Sequence, residues 1–204
     1  MIYPDYNIER SKIEEGYRYV VGTDEVGYGA GAGPVVASAV HIPEEHIDKF
    51  IGKVNDSKKL SVKKREILFD LIMEYCIVGV KDISAEIIDS INILEANKLA
   101  MTNAIEQTEY YDYVLIDGTV DLSKHIIYCP KENIIKGDTK SISIAAASII
   151  AKVTRDRMMI ELDKQWPIYD WKNNKGYLVP KHLEALKIYG PCEFHRLSFK
   201  RVGR

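Results

Sequence analysis

Residues 22–36 read GTDEVGYGAGAGPVV. Asp24 and Glu25 stand side by side after the apolar run Tyr19-Val20-Val21, and glycines follow at 27, 29, 31 and 33. Adjacent carboxylates at a strand end repel one another, and a cation between them removes the repulsion. Glycines on alternate positions let the backbone turn tightly and approach another molecule without side chains in the way. A metal site beside a backbone-reading loop is the chemistry of phosphodiester cleavage. A hairpin turn with solvated acids is the plainer alternative for this segment alone. Neither G-x-G-x-x-G nor a Gly-Lys-Ser/Thr phosphate loop fits, so the stretch is not a dinucleotide or Walker loop.

Further polar residues fall at places where chemistry is done. Asp117 follows Val114-Leu115-Ile116 and precedes Gly118, so its carboxylate belongs at a strand's exit. Read alone, that Asp-Gly is a turn. Asp138 stands just ahead of a long helical pattern, where an acid is favoured by the helix dipole whatever else it does. Asp156 lies deep in the same helix between Arg155 and Arg157, a setting for a helical ion pair and not for a site. Ser57, Lys58 and Lys59 make a polar turn that is either a phosphate grip or a solvated loop. Lys136, Lys152 and Lys175 are weaker basic candidates, with Lys152 free to pair with a nearby acid. Tyr177 follows Lys175-Gly176, while His182 and His195 read as core or cap residues, unassigned to metal.

The elements that must position these groups follow from periodicity and punctuation. Strands are expected over 17–23 and 35–42, flanking the glycine loop, with a short helix after Pro43 ending near Gly52. Ser61 is the N-cap expected for a helix to Tyr75, and 76–83 returns as a third strand. Asn92 with Glu95 opens a helix to about Thr108. A fourth strand is expected over 112–116 and a fifth at 126–129, with Ile134-Ile135 a possible addition to it. A long helix spans 141–166, its Ala145-Ala146-Ala147-Ser148 stretch read as close packing, and a last helix spans 180–188. Strands first, then strands alternating with helices, indicate a mixed sheet with flanking helices.

Composition narrows the class. The 204 residues suit one domain, or one with a small appendage, and 46% hydrophobic with 28% charged is ordinary for a soluble protein. A net charge of -2 does not announce a nucleic-acid binder, but an acid cluster lowers the sum, so local basic patches weigh more. Cys76, Cys129 and Cys192 lie far apart with no C-x-x-C, which suggests reduced thiols in a cytoplasmic protein and neither a disulfide frame nor a zinc knuckle. No apolar stretch approaches membrane-spanning length, and residues 1–15 are too charged for a signal peptide.

Several segments resemble the ribonuclease HII family in that family's order. They are Asp56-Ser57-Lys58-Lys59-Leu60-Ser61, Val114-Leu115-Ile116-Asp117-Gly118, and Lys136-Gly137-Asp138-Thr139-Lys140-Ser141 with the helical 142–156 behind it. Lys175-Gly176-Tyr177, His182 and His195-Arg196-Leu197-Ser198-Phe199 resemble its C-terminal signature, so the likeness covers about 17–199. It implies a ribonuclease H-like α/β fold: a mixed five-stranded sheet flanked by helices, with a helical C-terminal part. One catalytic domain is expected over 1–204, its core at about 17–166 and a substrate-contacting segment at about 167–204.

The resemblance also implies roles. Asp24, Glu25, Asp117 and Asp138 match the family's four metal-binding acids, and converging oxygen ligands with open water positions suit Mg²⁺ or Mn²⁺. Two such ions, roughly 4 Å apart, serve in-line phosphodiester hydrolysis. The main chain of Gly27-Tyr28-Gly29 senses the ribose 2′-OH, Ser57, Lys58 and Lys59 hold substrate phosphates, and Tyr177 stacks on the sugar beside the scissile phosphate. The expected activity is cleavage 5′ to a ribonucleotide in RNA–DNA hybrid or ribonucleotide-containing duplex DNA, giving 3′-hydroxyl and 5′-phosphate ends. A cytoplasmic monomer with no membrane partner is expected. Another metal-dependent nuclease on the same fold and an inactive hybrid-binding protein remain open as alternatives.

Two departures stand out. The family's loop usually reads Gly-Arg-Gly, and Tyr28 replaces the arginine, which removes a cation but no main-chain donor. Tyr177-Leu178-Val179-Pro180 stands where a glycine and a threonine are common. With five residues after Phe199, a sliding-clamp-binding extension is not expected, nor is the N-terminal domain of ribonuclease HIII.

Overall fold

In the computed structural model, which describes residues 3–126 and 128–203, the glycine-rich stretch is the turn between the first two strands. Strand β1 (Val20–Val26) pairs antiparallel with β2 (Val35–His41), which pairs antiparallel with β3 (Ile77–Ile83). On its other side β1 runs parallel to β4 (Tyr113–Asp117), and β4 runs parallel to β5 (Lys131–Ile134). The order β3-β2-β1-β4-β5 makes β1 the middle strand of a mixed five-stranded sheet.

Helices cover both faces. On one lie α2 (Val62–Tyr75) and the long α5 (Ile142–Gln165), packed on Val40 with Leu68, Ile72 and Ile142 in one core. On the other lie α3 (Ala85–Ile91) and α4 (Ile93–Glu106), packed on Val21, Ala37, Ala39, Val114 and Ile116. Each fully buried Val, Leu or Ile among them contributes about 1.5–3 kcal/mol. Small residues let α5 press on the sheet: a Cβ on Gly22 would collide with Ile144 N, and Ser38 Oγ donates to Ala147 O at 2.6 Å. Caps start the helices where expected, with Ser61 Oγ accepting from Lys64 N and Asn92 Oδ1 from Leu94 N and Glu95 N. Two short helices, α6 (Trp171–Asn174) and α7 (Pro180–Tyr189), form the C-terminal part around buried Tyr169 and Trp171.

The structure corrects four expectations. β1 continues to Val26, so Asp24 and Glu25 lie inside the strand and not beyond its end. The fifth strand is Lys131–Ile134, not 126–129. Pro130 lacks the N–H a ladder needs, so pairing starts after it; Ile126 and Cys129 are buried in irregular structure, and Ile127 lies outside the described residues. An N-terminal helix, α1 (Asn7–Glu14), and α3 were not anticipated. Among the described residues, no helix is long and apolar enough to cross a membrane, and the cysteines are free.

Candidate active site

Strand alternation decides where the paired acids point. Gly22 abuts α5, so Asp24, two residues on, faces α5, while Glu25 faces Asn97 of α4. The parallel register Thr23↔Ile116 sets Asp24, still inside β1, beside Asp117 at the end of β4. Gly137 N donates to Asp117 Oδ1 at 2.6 Å, tying the short turn Gly137–Thr139, and with it Asp138, to the end of β4. A side chain at 137 would press on Ile144 Cδ1 at 2.6 Å and on that same Asp117 oxygen at 3.1 Å, so close approach requires glycine there.

Asp24, Glu25, Asp117 and Asp138 therefore line one cavity of about 320 Å³, with Ser57, Lys58, Ser148, Lys152 and Tyr177 completing its wall. Burial, then the charges of Glu25 and Asp117, hold the Asp24 carboxyl well above the usual range, and Ser148 pulls it partly back. Burial and then Asp117 raise Glu25. Asp138 is pushed up to about 6 by burial, then by Asp56 and Asp117, against the pull of Lys58 and Lys59. Among the described residues no three His, Cys, Asp or Glu side chains are gathered into a ready metal-ligand cluster. Glu25 points to the opposite sheet face from Asp24, which spreads the four carboxylates around the cavity. The donor set is all oxygen and acidic, which fits a hard divalent cation.

The other predicted residues divide. Ser57 and Lys58 both line the cavity, Ser57 buried with its Oγ 3.0 Å from Ser148 Oγ. Lys59 does not line that cavity and lies 4.0 Å from Asp56. Tyr177, 39% exposed, reaches the cavity wall. Its carbonyl bonds His182 Nδ1 at 3.0 Å, while His182 Nε2 meets Trp171 Nε1 at 3.2 Å and His195 Nε2 at 3.0 Å. That pattern requires two neutral rings, His182 donating from Nδ1 and His195 from Nε2. Burial lowers both histidines, His195 to about 4. Asp156 pairs with Lys152 at 2.6 Å and stays outside the cavity.

The glycine turn rests on two buried arginines. Arg155 donates to Pro34 O, Lys175 O and Ala32 O, and Arg196 to Gly33 O and Tyr28 O. Gly27 has φ +90, and a Cβ there would collide with Arg155 Nε. The N–H groups of Gly31, Ala32 and Gly33 are spent on Gly176 O and Phe194 O. Those of exposed Tyr28 and Gly29 have no partner among the described residues. The Tyr28 side chain faces a second cavity of about 470 Å³, which it shares with Glu25, Asn97, Lys98 and Asp117. Sequence reasoning missed Ser148, Asn97, Asp56 and the structural weight of Arg155. One signal was available: Ala147, Ala151, Arg155 and Met159 recur at helical spacing, so the buried stripe of α5 runs through the arginine.

A family model described as ribonuclease HII matches residues 21–202. The chain belongs to the ribonuclease HII family. It is accordingly an endoribonuclease. It is 50% identical to the ribonuclease HII of Listeria innocua, over 95% of this chain and 72% of that one. Against the ribonuclease HII of Bacillus subtilis the identity is 49%, over 95% and 74%. Among solved structures, the ribonuclease HII of Archaeoglobus fulgidus, determined in complex with PCNA, superposes with a TM-score of 0.76. That match has 30% identity and covers 89% of this chain and 95% of that one. The ribonuclease HII likeness inferred from scattered motifs and the five-stranded mixed sheet both hold.

Proposed function

We propose that Asp24, Glu25, Asp117 and Asp138 hold two divalent cations, Mg²⁺ or Mn²⁺. We propose further that the site hydrolyses the phosphodiester 5′ to a ribonucleotide in RNA–DNA hybrid or in duplex DNA with embedded ribonucleotides. The observation that carries this reading is the convergence of the four carboxylates, from two strands and a turn, on one cavity walled by Lys58 and Tyr177. When bound, the ions lower the pKa of the attacking water and neutralise charge on the leaving 3′ oxygen. Asp24 and Glu25, raised by burial and by their neighbours, favour their charged forms once a cation is present, so metal affinity falls as pH drops.

The chain's other groups divide the substrate between them. Lys58 meets a phosphate beside the acids, and Tyr177 offers a ring face to the sugar. The unspent N–H groups of Tyr28 and Gly29 are donors available to a ribose hydroxyl. In this reading residues 17–166 form the core, 167–204 the substrate-contacting segment, and the enzyme is a cytoplasmic monomer. The test is a labelled duplex carrying one ribonucleotide, incubated with Mg²⁺ or Mn²⁺ beside an all-DNA control. The expected product is a single cut on the 5′ side, with 3′-hydroxyl and 5′-phosphate ends. Cleavage of the all-DNA duplex, or a cut on the 3′ side, overturns the reading.

A further inference from the structure

Helix α1 lies ahead of the span matched by the family model, and one of its side chains points inward. Glu9 is 1% exposed. Its Oε1 accepts from Ser141 Oγ at 2.6 Å, Ser143 N at 2.9 Å and Ser143 Oγ at 2.6 Å. Ser143 N belongs to the first turn of α5, so a carboxylate 134 residues away occupies one of that helix's orphan donors. Glu9 Oε2 has no partner among the described residues, and burial raises the carboxyl above its usual range. A buried acid held this way costs stability unless its donors need it.

Those donors adjoin the turn that carries Asp138. Asp5 N donates to Lys140 O at 3.3 Å and Ile142 N donates to Asp5 O at 3.2 Å, so the N-terminal segment pairs on both sides of Ser141. Ser141 N in turn donates to Gly137 O at 2.8 Å, and Gly137 N to Asp117 Oδ1 at 2.6 Å. The turn Gly137–Thr139 is thus held from inside by β4 and from outside by the 5–14 segment.

We propose that Glu9 is a positioning residue for Asp138, acting through Ser141 and Ser143 to fix the turn against the metal-binding acids. This rests on the reading of Asp138 as a metal ligand. The full chain is compared with Glu9→Ala, Glu9→Gln and Asp138→Asn in two measurements. One is hydrogen–deuterium exchange at the amides of Thr139, Lys140 and Ser141 in chelator; the other is calorimetric Mn²⁺ binding without substrate. Removing the acceptor of buried donors in Glu9→Ala is expected to speed exchange at those amides about tenfold and to weaken Mn²⁺ by a similar factor. The β1 and β4 amides should stay protected. Glu9→Gln keeps an oxygen at the Oε1 position and should stay within about twofold of the parent on both measures. If Glu9→Ala does not fold, Ser143→Ala carries the same test, with the same direction expected.

A fall in thermal stability with unchanged exchange at 139–141 would make Glu9 merely structural and overturn the proposal. Faster exchange with unchanged Mn²⁺ binding also overturns it. If Asp138→Asn then binds Mn²⁺ as the parent does, the fault lies in the ligand reading and not in the hold on the turn; if Asp138→Asn binds it weakly, the fault lies in the link from Glu9 to Asp138.

Discussion

The acid cavity and the arginine pair behind the glycine turn both bury like charges at close quarters. Asp24 is 7% exposed and faces Asp117 across the parallel strands. Arg155 and Arg196 are both fully buried; burial lowers Arg155, and Arg196 is pushed down to about 9 by burial and then by Arg155. Their bonding differs. Arg155 spends Nε and both Nη groups on main-chain carbonyls, and Arg196 spends Nε and Nη1. The carboxylates take few donors: Asp24 from Glu25 N and Ser148, and Asp117 Oδ1 from Gly137 N, with the Asn97 side chain drawing Glu25 partly down. Of the guanidinium nitrogens, Arg196 Nη2 alone is left without a partner among the described residues. A buried charge whose donors are mostly met by main chain is scaffold, and one with unspent oxygens is available to a ligand.

That contrast breaks first if the acids prove structural. Asp24→Asn, Glu25→Gln, Asp117→Asn and Asp138→Asn are each expected to lower turnover about a thousandfold, on the scale of several kcal/mol of lost charge stabilisation. Circular dichroism should show each variant folded, and relief of repulsion should leave the chelated protein at least as heat-stable as the parent. A folded Asp138→Asn protein with near-normal turnover would remove Asp138 from the set.

The arginines should behave in reverse. Arg155→Lys leaves at least two buried carbonyls without a donor, and urea unfolding should register a loss of about 3 kcal/mol. An unchanged urea midpoint would show that the guanidinium is not what braces the turn.

Tyr177 joins the two regions, its ring 5.9 Å from Arg155 Cζ and its edge in the acid cavity. If it works by stacking, Tyr177→Ala should cost about 1–3 kcal/mol in kcat/KM and Tyr177→Phe little. Equal loss from both changes would implicate the hydroxyl.

The smallest expected effect is on pH dependence. Burial lifts Asp138 first and Asp56 second, to about 6 against an ordinary value of 3.8. Because the folded value is raised, the folded protein holds this proton where the unfolded chain has lost it. In chelator its contribution to stability is therefore full below about 4 and is lost as pH rises toward 6. Asp56→Asn should flatten that decline and move the acid limb of the activity profile to lower pH. An unmoved acid limb would mean that Asp56 does not act on Asp138.

Much of this molecule was legible without coordinates, for local reasons. Ser61 and Asn92 announce helix starts because a cap bonds N–H groups two or three residues on. The two strands around the glycines follow from short apolar runs, and the long helical pattern expected over 141–166 is α5. Asp24 and Glu25 were conspicuous as adjacent acids before glycines; Asp117 and Asp138 gained meaning only from family resemblance, since alone Asp117 reads as a turn and Asp138 as a helix-start acid. Less legible were α1 and its Glu9, whose partners are over a hundred residues away. Ser148 looked like packing because its neighbours are alanines, and Arg155 like half of a surface charge pattern.

What the residues determined by themselves was the order of elements, their caps, and the kind of chemistry their acids could do. Hydrogen-bond reach along the chain and side-chain periodicity are both short-range, and they are written locally. What only the tertiary structure decided was which carboxylates share a cavity and which charges are consumed. Strand alternation turned Asp24 and Glu25 to opposite faces, parallel pairing brought Asp117 beside Asp24, and the carbonyls of the glycine turn absorbed two arginines. Burial sets the cost of a charge, and partners distant in sequence set whether that cost is met, so neither can be read from a residue's own neighbours.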